Sequence, residues 1–251
     1  MLYLRDKTEI DAIRSSAQLV ARTLEMLAKE VRPGVTTGEL DRLAEVFIRD
    51  HGARPAFKGY RGFPASICPS LNDEVVHAIP GERRLSEGDI IGIDVGVEKD
   101  GYFGDAAFTF PVGEVDERAA TLLRVTHEAL MKGIEQARAG QRVGDISYAI
   151  QSHAELNGFA VVRELLGHGI GRQMHEEPQV PNFGPPARGP RLMAGQVLAI
   201  EPMVNIGGPE VRTQPDGWTV VTRDHSLSAH FEHTVAVGAD GPEILSRSQL
   251  G

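Results

Sequence analysis

The stretch Ile90-Ile-Gly-Ile-Asp94-Val-Gly-Val-Glu-Lys-Asp-Gly-Tyr-Phe-Gly-Asp105-Ala-Ala-Phe-Thr-Phe110 decides the fold. It reads as two β-strands joined by a tight turn within Glu98-Lys99-Asp100-Gly101. On the first strand Ile91, Ile93, Val95 and Val97 share one face, and Gly92, Asp94 and Gly96 share the other. An aspartate between two glycines is poor strand sequence unless something small and charged sits on that face. With Lys99-Asp100 as the turn residues, Asp94 falls directly opposite Asp105, and such pairs have Cβ atoms about 4.5–5.5 Å apart. Two carboxylates that close repel unless a cation lies between them or one holds a proton. The hairpin therefore points to a metal site, with Gly92, Gly96 and Gly104 expected to keep its space clear.

Around the hairpin the periodicity is helical. Thr8 to Val31 carries a stripe of Ile10, Ile13, Ala17, Val20, Leu24 and Leu27, and Arg32-Pro33-Gly34 ends it. A second helix is expected from Gly38 to Asp50, capped by Thr37 and closed by Gly52. Short strands follow between Pro55 and Pro80. Beyond the hairpin, helices are expected over Ala119–Ala137 and Val143–Leu156.

The two helical regions resemble each other. Arg32-Pro-Gly-Val-Thr-Thr-Gly-Glu-Leu40 parallels Arg138-Ala-Gly-Gln-Arg-Val-Gly-Asp-Ile146, Gly52 parallels Gly158, and Glu87-Gly-Asp-Ile-Ile-Gly-Ile-Asp94 parallels Ala194-Gly-Gln-Val-Leu-Ala-Ile-Glu201. Two copies at so long a spacing mean a duplication, not a solenoid. The duplication pairs Asp94 with Glu201. It pairs Asp105 with Glu232, which lies in the alternating strand Ser228-Ala-His-Phe-Glu232-His-Thr-Val-Ala-Val237 after an inserted hairpin around Gln214-Pro-Asp-Gly-Trp218. A pseudo-two-fold axis between the halves would bring all four acids to their interface.

Composition restricts the rest. The chain has 251 residues with 41% apolar content, enough for a sizeable core. A net charge of −9 argues against a nucleic-acid partner. The single cysteine, Cys68, rules out a disulfide within the chain. No apolar run is long enough to span a bilayer, and the first residues lack a signal-peptide core. A soluble, cytoplasmic protein is expected.

Four carboxylates around one point suit two divalent cations. An added imidazole shifts preference toward Mn, Fe, Co or Zn. The candidate imidazole is His168 in Leu165-Leu-Gly-His168-Gly-Ile-Gly-Arg-Gln-Met-His175-Glu-Glu-Pro, where flanking glycines let backbone approach closely. Glu176-Glu177 reads as a solvated pair or one that supports the site from behind.

On this ordered set, Asp94, Asp105, His168, Glu201 and Glu232, the chain resembles the type I methionine aminopeptidases along nearly its whole length. The resemblance implies an α+β pita-bread fold: one catalytic domain over residues 1–251, with duplicated αβ halves of roughly 1–115 and 116–251 related by a pseudo-two-fold axis around an antiparallel sheet. It implies that Asp94 binds one metal, that His168 and Glu201 bind the other, and that Asp105 and Glu232 bridge them. It places His77 and His175 beside the substrate, gives Glu201 a share in proton transfer, and lines the pocket for the first side chain with Tyr60, Phe63, Cys68, Met174 and Trp218. The implied reaction is removal of the initiator methionine from nascent chains by a metal-activated water. A monomer is expected, and docking at the ribosome stays open. Arg61 stands where the family often has His, Met174 where it has an aromatic, His230 where it usually has Gln, and Ala78 where it usually has Gly. His230, two residues before Glu232, is expected to face the site. A prolidase or aminopeptidase P on the same fold, and a binding module that has lost the chemistry, are the alternatives; the first normally carries an additional N-terminal domain, and the second normally lacks some of these ligands.

Overall fold

A computed structural model describes residues 3–250. Four helices, α1 (Lys7–Ala28), α2 (Thr37–Asp50), α3 (Glu117–Glu135) and α4 (Val143–Leu156), are interleaved with short strands. The strands before α3 are β1 (Arg54–Pro55), β2 (Ile67–Leu71), β3 (Glu74–Val76), β4 (Ile90–Lys99) and β5 (Tyr102–Pro111). Those after α4 are β6 (Ala160–Val161), β7 (Leu166–Gly169), β8 (Glu176–Pro181), β9 (Val197–Ile200), β10 (Met203–Asn205), β11 (Val211–Thr213), β12 (Val220–Thr222), β13 (Ser228–His230), β14 (His233–Val237) and β15 (Pro242–Ile244).

Local chemistry explains where the helices begin and end. Asp6 caps α1, its carboxylate accepting from Glu9 N at 2.9 Å while Glu9 reaches back to Asp6 N. The helix stops at Ala28, one residue past the last of the apolar stripe and short of the expected end at Val31. Glu30 N and Val31 N both turn back onto Leu27 O, which tightens the last turn. The cap of α2 is Thr36, not Thr37: Thr36 Oγ1 accepts from Glu39 N at 3.1 Å, and Glu39 returns a bond to Thr36 N. Thr37 instead holds the loop at Gly81. Asp116 caps α3, which begins at Glu117, two residues ahead of the expected start. Val143–Leu156 forms as the periodicity predicts.

β4 pairs with β5 along its whole length and carries β1 and β2 on its other edge. Ile91, Ile93, Val95 and Val97 are fully buried against α1 and α2. A second core lies between α3, α4 and the strands β9, β13 and β14, and includes Leu122, Ile146, Leu198 and Val235. A five-stranded antiparallel sheet, in the order β15-β14-β9-β7-β8, carries the later part of the chain.

The hairpin register differs from the sequence reading. The turn residues are Asp100 and Gly101, with φ of 53° and 79°. Two positive φ values in an Asp-Gly pair suit a right-twisted hairpin. Lys99 therefore pairs with Tyr102, Asp94 with Ala107, and Asp105 with Gly96. The shift moves Asp105 by two positions, so both aspartates keep the same face as diagonal neighbours; a shift by one would have separated them.

Gly96 and Gly104 do other work than expected. A Cβ on Gly96 would sit 2.6 Å from the Phe57 ring, and one on Gly104 would strike the backbone of α1 at Ala17. Protein, not ions, fills both spaces. Gly104 lies on the helix face of β5, which lets α1 touch the strand that carries Asp105. Gly104→Ala is expected to lower stability by about 1–3 kcal/mol through overpacking, read as a shift in urea midpoint, because helix backbone cannot yield as a side chain can.

Candidate metal centre

Five elements deliver the five sequence-predicted ligands. Asp94 projects from β4 and Asp105 from β5; His168 lies on β7, Glu201 follows β9, and Glu232 precedes β14. The pairings His168 with Ala199 and His233 with Ile200 make β7, β9 and β14 neighbours. One donor atom each from Asp105, His168 and Glu232 lie within 4.8 Å of one another. Asp94 contacts Asp105, and Glu201 Oε1 lies 3.6 Å from His168 Nε2.

The seam between β5 and the segment around Glu232 creates this proximity. Thr234 Oγ1 donates to Asp105 O at 2.7 Å and accepts from Asp105 N at 3.0 Å. Two residues along, Glu232 N donates to Ala107 O at 2.9 Å. Two further along, Thr109 Oγ1 donates to His230 O at 2.7 Å and accepts from His230 N at 2.9 Å. The two stretches run antiparallel, with a threonine hydroxyl bridging the gap at each end. Sequence reasoning missed both threonines. Their signal was a polar residue inside each apolar alternating run.

Burial sets the charge state. Desolvation, with repulsion among the acids, pushes Asp105, Glu201 and Glu232 well above the usual carboxylate range, and desolvation raises Asp94 to about 7. Asp94 Oδ1 and Asp105 Oδ1 are buried and find no hydrogen-bond donor. His168 Nδ1 is 2.8 Å from Gly169 O, an acceptor only, so Nδ1 carries the proton. Desolvation holds His168 down to about 4. The ring is therefore neutral, with the Nε2 lone pair aimed at the acids, as a metal-ligating imidazole must be. Orphaned carboxylate oxygens around a pre-set imidazole nitrogen fit divalent cations.

A cavity of about 160 Å³ opens onto these groups. Tyr60, Phe63, Cys68, Met174 and Trp218, the residues expected around the first side chain, all line it, and Phe63 meets Trp218 edge-on at 5.2 Å. Phe57, which sequence reasoning missed, lines it as well. Burial raises the Cys68 thiol well above its ordinary value, so it serves as apolar wall and not as a thiolate. His77 also reaches the cavity, from a left-handed backbone of φ 60°. His175 Nδ1 lies 2.9 Å from Tyr60 Oη. Desolvation, then repulsion from His168, Arg61 and His77, lowers its pKa to about 3. His230 is buried with Nε2 unpartnered and 3.9 Å from Glu201 Oε2, so it faces the acids from behind the cavity.

Arg5 is a further residue that the sequence reading did not find. Its guanidinium forms a buried ion pair with Glu176 at 2.5 Å, and Glu176 Oε1 also accepts from Arg172 N and Gln173 N. Glu176 is thus a clasp on the turn that presents Met174 and His175.

A family model for metallopeptidase family M24 matches residues 11–239. The chain belongs to that family. It is 56% identical over 246 residues to a methionine aminopeptidase of Clostridium perfringens, covering 98% of this chain and 99% of that one. It is 51% identical over 247 residues to methionine aminopeptidase 1 of Bacillus subtilis, covering 98% and 100%. The crystal structure of methionine aminopeptidase from Rickettsia prowazekii superimposes with a TM-score of 0.97 at 44% identity, covering 98% of this chain and 100% of that chain. The prolidase of Pyrococcus horikoshii, at 20% identity and a TM-score of 0.81 over 98% of this chain and 64% of that one, shares the fold alone. The family resemblance read from the sequence and the α+β pita-bread fold are both borne out. This M24 chain is a metal-dependent peptidase, and no described helix is long and apolar enough to cross a membrane.

The charge state makes a pH prediction. Acids with raised pKa values hold their protons more readily than free carboxylates, while ligation needs them ionised. Adding Mn or Zn to metal-free protein at neutral pH should release protons, and affinity should fall as pH drops below about 7, the Asp94 value. Calorimetry in buffers of low and high ionisation enthalpy reads the release; equal heats would contradict it. A second expectation concerns the seam. Thr234→Val strands the Asp105 N–H and C=O and should cost about 1–3 kcal/mol, whereas Thr234→Ser should unfold near the wild-type urea midpoint.

Proposed function

We propose that this chain removes the N-terminal methionine from peptides and newly made proteins at a dinuclear metal centre. The observation that carries the reading is the convergence of Asp105, His168 and Glu232 donor atoms within 4.8 Å at the end of an apolar-walled cavity. The names and full-length identity of the relatives support the substrate. Asp94 would hold one ion, and His168 with Glu201 the other, while Asp105 and Glu232 bridge. When bound, such ions supply Lewis acidity and a water that ionises near neutral pH.

The chain's own residues do the remaining work. The aromatic and sulfur-bearing wall takes an unbranched, flexible side chain such as methionine. With Tyr60 donating to Nδ1, His175 keeps its proton on Nε2, where it can donate to the carbonyl oxygen as negative charge develops there. Glu201 accepts the proton of the attacking water and passes it to the leaving amide nitrogen. His77 hydrogen-bonds that nitrogen and holds the scissile peptide in line. A free α-amine offers a lone pair that a bound ion could accept, which an internal peptide nitrogen does not, and this would restrict the reaction to N-termini.

Several finer features belong to the same reading. We take the chain as one catalytic domain of two related halves, roughly 1–115 and 116–251, each a helix pair followed by acid-bearing strands. It acts as a cytoplasmic monomer on nascent N-termini, with docking at the ribosome part of the same proposal.

Hydrolysis of Met-Ala-Ser with Mn, Co, Fe or Zn tests the proposal, beside N-acetylated and Pro-containing peptides. Methionine should be released from the free peptide and not from the acetylated one. Metal analysis at saturation should give two ions per chain. Glu232→Ala should lose at least about 10²–10³-fold in kcat, the scale of losing a group that stabilises the transition state. No methionine from any peptide with any metal would sink the reading, and full activity of Glu232→Ala would sink the bridging role.

A further inference from the structure

The cavity is not the only opening at the two imidazoles. An open groove of about 450 Å³ shares His168, His175 and Arg61 with it and continues along Gln173, Glu177 and Gln179. On the reading above, on which this inference rests, the first side chain enters the apolar cavity. The rest of the peptide must then leave through the groove. Its floor is β8, an edge strand with Pro178 and Val180 buried and Glu177 and Gln179 exposed. With the second residue of a substrate at the shared imidazoles, an extended peptide at about 3.3 Å per residue carries its third residue, second beyond the scissile bond, into the groove.

Charge in the groove is uneven. The Glu176 carboxylate is occupied by Arg5 and two backbone amides. Among the described residues lining the groove, Arg61 is the one permanent cation. It sits where the two spaces join, in the single turn Tyr60–Gly62, at φ 50°. Its guanidinium lies 5.4 Å from the Tyr60 ring centroid, and Tyr60 in turn bonds His175. A positive-φ backbone at a non-glycine residue is a constrained way to hold a side chain. Here it holds an exposed cation beside the exit. Its charge is felt at the catalytic imidazole, where it helps lower the His175 pKa. Glu177 lines only the groove, not the cavity, and so lies beyond this junction.

We propose that Arg61 is a specificity-determining residue that selects methionyl chains with a carboxylate at the third position and disfavours those with a cation there. The guanidinium offers planar paired donors to a carboxylate. The site is solvent-exposed, so the preference has the size of a surface ion pair and is screened by salt.

The test uses Met-Ala-Asp-Ala, Met-Ala-Ser-Ala and Met-Ala-Lys-Ala, each C-terminally amidated so that no terminal carboxylate competes. Metal-loaded wild type should show kcat/KM for Asp over Ser, and for Ser over Lys, by roughly two- to fivefold each, shrinking in high salt. Arg61→Gln should flatten the series, and Arg61→Glu should invert it. Metal content of each variant separates this from a damaged centre. Equal rates in wild type, or an Asp preference that survives in Arg61→Gln, overturn the role of Arg61 while leaving the aminopeptidase reading intact. Failure to cleave even the Ser peptide overturns that reading and this inference together.

Discussion

Two threonine hydroxyls hold the arrangement on which the site depends. Thr234 and Thr109 each accept from a backbone N–H and donate to a backbone C=O of the facing segment, at the two ends of a short antiparallel contact. A plain strand pair would have used backbone alone. The hydroxyls anchor the two ends of the contact and the Glu232 N–H to Ala107 C=O bond closes its middle, so that both acids turn into the same space. All four backbone groups at these ends are buried, and buried polar groups without partners are costly. Asp105 and Glu232 are thus held together by a contact that does not depend on their own charges.

That independence matters because their charges oppose it. Several desolvated carboxylates gathered at one point raise one another's pKa values, and metal-free protein can relieve the repulsion only by holding protons. The scaffold therefore stores an unfavourable electrostatic arrangement and keeps its oxygens unsatisfied. His168 adds a neutral nitrogen locked into one tautomer by Gly169 O. Such a site is made before its ions arrive, and its affinity for them reflects relief of repulsion as much as ligation.

Much of this was legible in the chain. Periodicity of two put Asp94 and Asp105 on one face, and that survived the error in the turn, because a two-residue change of register preserves facing. Val143–Leu156 and the buried stripe of α1 followed from periodicity of 3.6. The order and spacing of acids, with the glycines around His168, carried the resemblance to the family. What was hidden depended on contacts distant in sequence. Nothing local in Arg5 announces Glu176, and nothing in Phe57 announces that its ring fills the space above Gly96. The choice between Thr36 and Thr37 as cap turned on which of two neighbours could face Glu39. Gly104 was read as a clearing for ions, yet it is a landing place for a helix.

The distance along the chain between the clasped residues has a consequence for synthesis. Arg5 and Glu176 are separated by 171 positions, and Asp105 and Thr234 by 129. Contacts this distant form late, after long loops have closed. During translation, α1 and the first hairpin emerge while the partners that would finish the centre are still inside the ribosome or not yet polymerised. Neither half can assemble the centre alone, and a truncation before residue 234 leaves the seam open. The metal centre of this chain is thereby unfinished for as long as the chain itself is being made.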